Sequence, residues 1–106
     1  VSVVVLPGPA GGELANVNRW RGQIGLPPVD EGDLAGSRRK LRAPAGEVRV
    51  YDFTGADAAR SRMVAGIVVA GGRSWFVKMV GDEGPVAAAR ADFLKILEGL
   101  RLETDR

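Results

Sequence analysis

The sequence predicts an α+β fold in which helices cover both faces of an antiparallel β-sheet, an α/β/α sandwich. The segment 63–70 carries apolar residues on both of its faces, so a strand there must be covered on both sides and lie centrally. Gly71-Gly72 follows as a two-residue hairpin signal, and 73–80 then returns antiparallel to it. The length of 106 residues suits a single domain spanning 1–106.

The first third of the chain predicts one strand and two helices. Residues 1–6 carry four valines and a leucine, a composition that favours a strand, which we expect to be buried on both sides. Apolar side chains recur at helical spacing over 13–23 and predict a helix, which Gly25 ends. A short helical turn is expected around Leu34.

The rest of the chain predicts a meander of strands followed by a helix. Extended segments are expected at 40–42 and 47–54. The second of these places Val48 and Val50 on one face and Tyr51 and Phe53 on the other. After the hairpin, two acidic residues and Pro85 are typical of a first helical turn, and apolar residues up to Leu100 form one stripe.

The composition excludes much familiar chemistry. The chain has no cysteine and no histidine, which removes thiol nucleophiles, imidazole bases and every metal site built on those ligands. Asp52 beside Tyr51 is the main remaining candidate for acid-base work. We therefore expect no enzyme activity, no catalytic residue, no cofactor and no metal.

A basic cluster stands out although the formal net charge is only +2. Four of the fifteen basic residues lie within five positions, namely Arg38, Arg39, Lys40 and Arg42. Such a cluster is either a patch for nucleic acid or anionic lipid, or a charged edge strand that discourages strand addition. No aromatic residue is interleaved to stack on bases, so we favour the edge strand and do not expect nucleic acid as a partner.

The first predicted helix holds a second unusual run. It consists of Asn16, Asn18, Arg19, Trp20 and Arg21. Tryptophan and arginine dominate binding hot spots, so this run is a candidate protein interface, together with the basic cluster. The alternative is that Trp20 packs on the sheet while Arg19 and Asn16 hold the Pro27-Pro28 loop. The sequence leaves both open.

A candidate ligand pocket follows from the aromatic residues. Trp75 and Phe76 lie in the second hairpin strand, and Phe93 lies in the last predicted helix. We expect these three side chains to line an apolar pocket between sheet and helix.

The closing segment WFVKMVGDEGPVAAARADFLKILEGLRL resembles that of the PsbP/Mog1-like superfamily. The matching places are Trp75, Phe76, Gly81, Asp82, Phe93, Ile96, Leu97 and Leu102. The stretch GGELANVNRWRGQIGLPPVDEGDL resembles uncharacterised bacterial proteins of this type, many of which look like exported lipoproteins. The resemblance implies a sheet between helices, with Leu102 rejoining it.

The resemblance also implies a function. It indicates a non-enzymatic accessory or docking domain of a larger, membrane-associated complex, with a protein as partner and a periplasmic or membrane-surface location. Small-ligand binding is the alternative. The chain begins at Val1 inside a predicted strand, so we expect an export signal, a lipid-anchored leader or further domain sequence upstream. Its apolar runs are too short to span a bilayer, and its oligomeric state is left open.

Overall fold

The computed structural model describes residues 2–8, 12–56, 60–70 and 72–100. Within these residues the chain forms five strands and three helices. The strands are β1 (Ser2–Pro7), β2 (Arg39–Ala43), β3 (Gly46–Thr54), β4 (Ser61–Ala70) and β5 (Arg73–Asp82). The helices are α1 (Glu13–Gln23), α2 (Glu31–Ser37) and α3 (Glu83–Glu98).

The strands form one antiparallel sheet in the order β1-β5-β4-β3-β2. β4 is the central strand, as its two apolar faces predict. Ala70 pairs with Arg73, so the predicted two-residue hairpin joins β4 to β5. Gly72 has φ of 73°, a left-handed conformation that glycine adopts without strain, whereas Gly71 lies outside the described residues.

Helices cover both faces of the sheet, which confirms the predicted α+β sandwich. Helix α3 packs on one face, where Phe93 and Leu97 meet Val48, Val50 and other buried residues. Helices α1 and α2 pack on the opposite face. The residues buried there include Val17, Trp20 and Leu34 from the helices and Tyr51, Met63, Ala65, Ile67 and Phe76 from the strands. The strand period of two therefore separates the two cores.

Gly66 brings helix α3 close to the central strand. A Cβ atom at this position would lie 2.9 and 3.0 Å from the two terminal methyl groups of Leu97 and 3.2 Å from a methyl group of Val48. Any side chain at residue 66 would force the methyl groups of Leu97, which is fully buried, to shift. This contact fixes the last turns of α3 over the middle of the sheet.

The prediction that the first strand is buried on both sides is wrong. β1 lies at the edge of the sheet, and Val3, Val4 and Val5 are 60%, 43% and 37% exposed. Valine-rich composition predicts the extended conformation but does not report how many neighbours a strand has. The predicted return of Leu102 to the sheet lies outside the described residues. No helix among the described residues is long and apolar enough to cross a membrane.

Candidate functional site

Trp20, one of the candidate interface residues, is a core residue. Its side chain is 1% exposed, and its ring meets that of Phe76 edge-on, with 5.7 Å between the ring centroids. The ammonium group of Lys78 lies 5.3 Å from the Trp20 ring centroid. Burial, together with the nearby Arg19 guanidinium, lowers the pKa of Lys78. Trp20 therefore anchors α1 on the sheet and offers no surface to a partner.

Polar side chains of α1 hold the segment that follows the helix. Asn18 exchanges two hydrogen bonds with the backbone of Val29, donating to its carbonyl at 3.0 Å and accepting from its N–H at 2.8 Å. Arg21 Nε donates to the Pro27 carbonyl at 2.8 Å. The alternative in which polar side chains of this helix hold the loop after it is therefore correct. The residues that do so are Asn18 and Arg21.

Asn16 and Arg19 are the residues that this alternative assigns to the loop, but neither forms these hydrogen bonds to Pro27 or Val29. Asn16 is buried and donates from Nδ2 to the Gly12 carbonyl at 2.7 Å, at the start of the helix. Arg19 is exposed. Residues 18 and 21 are three apart and share a helix face, so this face is the one turned toward the loop. Of the five residues in this run, Arg19 is the one whose side chain is exposed.

The basic cluster does not form one patch. β2 is an edge strand, as predicted, and Arg39, Lys40 and Arg42 are exposed on it. Lys40 and Arg42 pair with residues on the α1 side of the sheet, whereas Arg39 pairs with Val50 on the α3 side. Arg38 is held inside, where its Nε donates to Glu13 at 3.2 Å and to the Tyr51 hydroxyl at 2.8 Å. The exposed charges are therefore divided between the two faces of this edge strand, and their role as an interface stays a prediction.

The predicted pocket of Trp75, Phe76 and Phe93 does not form. Trp75 and Phe76 are neighbours on β5 and point to opposite faces of the sheet. Trp75 shares the α3 face with Phe93, whereas Phe76 packs under α1 with Trp20. The three aromatic side chains therefore cannot line one cavity.

A different cavity, of about 300 Å³, opens on the α1 face at the start of that helix. Its lining combines Ile67, Val69, Ser74 and Phe76 from the hairpin with Gly12, Glu13, Asn16, Glu47 and Arg49. The charged groups around it already pair with each other, because Arg49 bonds both Glu13 and Glu47. Arg38 pairs with Glu13 as well. Among the lining residues named here, no charged group is thus left unpaired to select a ligand, and ligand binding stays a prediction.

Asp52 and Tyr51 do not form an acid-base pair. Adjacent residues on β3 face opposite sides, and the Asp52 carboxylate accepts two hydrogen bonds from Arg62, at 2.9 and 2.7 Å, and one from Arg90 at 2.7 Å. Burial raises the pKa of Asp52, but the bonds from Arg62 and Arg90 outweigh it and hold the pKa below its ordinary value of 3.8. This carboxylate joins β3, β4 and α3.

The β1 edge is the surface that the sequence interpretation missed. β1 bonds to β5 on one side, and the Gly8 N–H donates to the Gly72 carbonyl at 2.7 Å in continuation of that ladder. Bonded pairs alternate along an antiparallel ladder, so the even-numbered residues of β1 direct their main-chain groups toward β5. The N–H and C=O groups of Val3 and Val5 therefore point outward, away from the sheet.

The same alternation explains the proline in this strand. Pro7 is an outward position on β1, where its lack of an N–H removes nothing from the ladder to β5. The open part of the edge is therefore short, with Val3 and Val5 supplying its donors. A run of uncharged residues at 1–7 beside a sheet whose other edge is basic was the available signal.

Comparisons with known proteins add no relative. No protein-family model, curated protein or solved structure matches the chain. The resemblance to the PsbP/Mog1-like superfamily therefore stays a prediction.

Proposed function

We propose that this chain is an accessory domain that docks to another polypeptide by strand addition at the β1 edge. The observation that carries the proposal is the pair of outward-facing main-chain groups at Val3 and Val5, set among exposed valine side chains. Strand addition uses such groups for affinity and the alternating side chains for specificity. A role without catalysis, export to the periplasm or a membrane surface, and membership of a larger complex belong to the same proposal.

The contrast between the two edges of the sheet supports docking at β1. Proteins protect an open edge with charged side chains, above all lysine, because an uncharged edge pairs with other strands. β2 has Arg39, Lys40 and Arg42 exposed. β1 carries no charged residue, and three of its valines are among the exposed large apolar side chains. This contrast favours strand addition at β1 over strand addition at β2.

A lysine on β1 tests the proposal in the native source. Val3→Lys is suitable because Val3 is the most exposed valine of β1, so the change should leave the fold intact. In mild detergent the unaltered chain should migrate well above its own mass of 11.2 kDa, and Val3→Lys should shift it to that mass. Native electrophoresis with detection of a tag on the chain gives the reading.

Ile96→Lys is the matched control. Ile96 is 53% exposed and lies on α3, so the change adds the same charge and removes a similar apolar surface at a position outside β1. It should leave migration unchanged. An unaltered chain that migrates as a single domain would contradict docking, and a Val3→Lys chain that stays in the assembly would exclude β1 as the surface.

A further inference from the structure

We propose that the strand added to β1 is the β1 strand of a second copy of this chain, paired antiparallel about a two-fold axis at Val4. This inference rests on the proposed docking function and names its partner. The result is one continuous ten-stranded sheet, built from the five-stranded sheets of two copies. The axis stands perpendicular to the sheet, so the α3 helices of both copies lie on the same side.

The main-chain groups select this register. With the axis at Val4, Val3 of each copy lies opposite Val5 of the other. The four N–H groups of Val3 and Val5 in the two copies then meet the four C=O groups of the same residues. Val4 lies opposite its own copy as a non-bonded pair, in keeping with its bonds to β5. An axis at Val5 would instead place Val3 opposite Pro7, which has no N–H to donate.

The side chains also favour a second copy. Val3 and Val5 are cross-strand partners of Val77 and Trp75, so their side chains lie on the α3 side of the sheet. Pairing of two copies therefore brings four exposed valines together in one apolar strip. Val4 meets its counterpart on the α1 side. The β1 strands of two copies carry no charge and can pair without repulsion. Two β2 strands, in contrast, would bring the positive charges of Arg39, Lys40 and Arg42 in one copy close to those in the other.

A charge-swap experiment at Val4 tests the pairing. Residues at a two-fold axis face themselves, so Val4→Lys and Val4→Glu each place like charges directly opposite. Sedimentation equilibrium should give a concentration-dependent dimer for the unaltered 106-residue chain and at least tenfold weaker dimerisation for each variant. Mixing the two variants should restore dimers, because lysine then faces glutamate.

Two controls fix the register and the fold. Val3→Lys mixed with Val3→Glu should restore dimers less well than Val3→Lys mixed with Val5→Glu, since residue 3 faces residue 5 in this pairing. Circular dichroism of each variant should match that of the unaltered chain, because the substituted valines are all at least 37% exposed.

The outcomes separate this inference from the proposed function. A chain that remains monomeric at millimolar concentration, or Val4 variants that dimerise as tightly as the unaltered chain, would overturn self-pairing at β1. Docking would still stand if Val3→Lys releases the chain from its native assembly, because the β1 edge would then hold a different polypeptide. Both proposals fail together if Val3→Lys leaves that assembly unaffected, or if the unaltered chain already migrates as a single domain.

Discussion

Trp20→Ala is expected to lower the free energy of unfolding by about 3–5 kcal/mol, the usual range for removing a fully buried tryptophan. The ring is 1% exposed and packs edge-on against Phe76, so its removal leaves a cavity between α1 and the sheet that the backbone cannot close. Lys78 loses the ring face that its ammonium group contacts. Urea denaturation followed by circular dichroism measures the loss.

Arg19→Ala is the matched control for this prediction. Arg19 is the exposed neighbour of Trp20 on the same helix, so its replacement should change stability by no more than about 0.5 kcal/mol. A Trp20→Ala chain as stable as the Arg19→Ala chain would mean that α1 is not packed on the sheet. The interface interpretation of Trp20 would then return.

Asp52→Asn is expected to cost about 2 kcal/mol at pH 7, because hydrogen bonds to charged groups contribute about 1.5–3 kcal/mol. The Asp52 side chain is 21% exposed, and its carboxylate joins Arg62 of β4 and Arg90 of α3. The guanidinium groups of these two residues would face a neutral amide in the variant. The substitution keeps the shape of the side chain. It therefore isolates the effect of the charge.

The pH dependence of this cost follows from the lowered pKa of Asp52. A carboxyl group whose pKa is lower in the folded chain stabilises the fold above its unfolded pKa, near 3.8, and loses this contribution as the pH falls through the folded value. The difference between the unaltered chain and Asp52→Asn should therefore be constant at neutral pH and shrink below about pH 4. Denaturation curves from pH 7 to pH 2 give the comparison.

Asp92→Asn controls for the loss of any carboxylate from this region. Asp92 is exposed on α3, and no described residue forms an ion pair with it. Its replacement should alter stability at pH 7 by no more than about 0.5 kcal/mol. An Asp52→Asn cost that is equally small, or that does not shrink in acid, would contradict the role of Asp52 as a charged junction.

Local periodicity predicts the elements and the faces of this fold well. The alternation in β3 places Val48 and Val50 under α3 and Tyr51 on the opposite face, as the structure has it. The two-sided apolar pattern of β4 predicts its central position. The alternation of apolar residues along a strand involves only residues that are close in sequence, so it can be recognised from the sequence.

The candidate site was harder to predict because it depends on which elements become neighbours. Whether Asn18 or Asn16 reaches the loop after α1 depends on the rotation of the helix against the sheet. The composition of β1 does not determine whether the strand pairs with one other strand or with two. The separation of Trp75 from Phe76, in contrast, was predictable, because adjacent residues on a strand always face opposite sides.

Amide hydrogen exchange of β1, measured by NMR at low and high protein concentration, tests the central claim most directly. In dilute solution the Val4 amide should be protected by its bond to β5, whereas the Val3 and Val5 amides should exchange freely. High concentration should then protect Val3 and Val5 as a second copy pairs with the edge. Val3 and Val5 amides that are as protected as Val4 in dilute solution, or that stay unprotected at the highest concentration, would contradict an open β1 edge that a second copy fills.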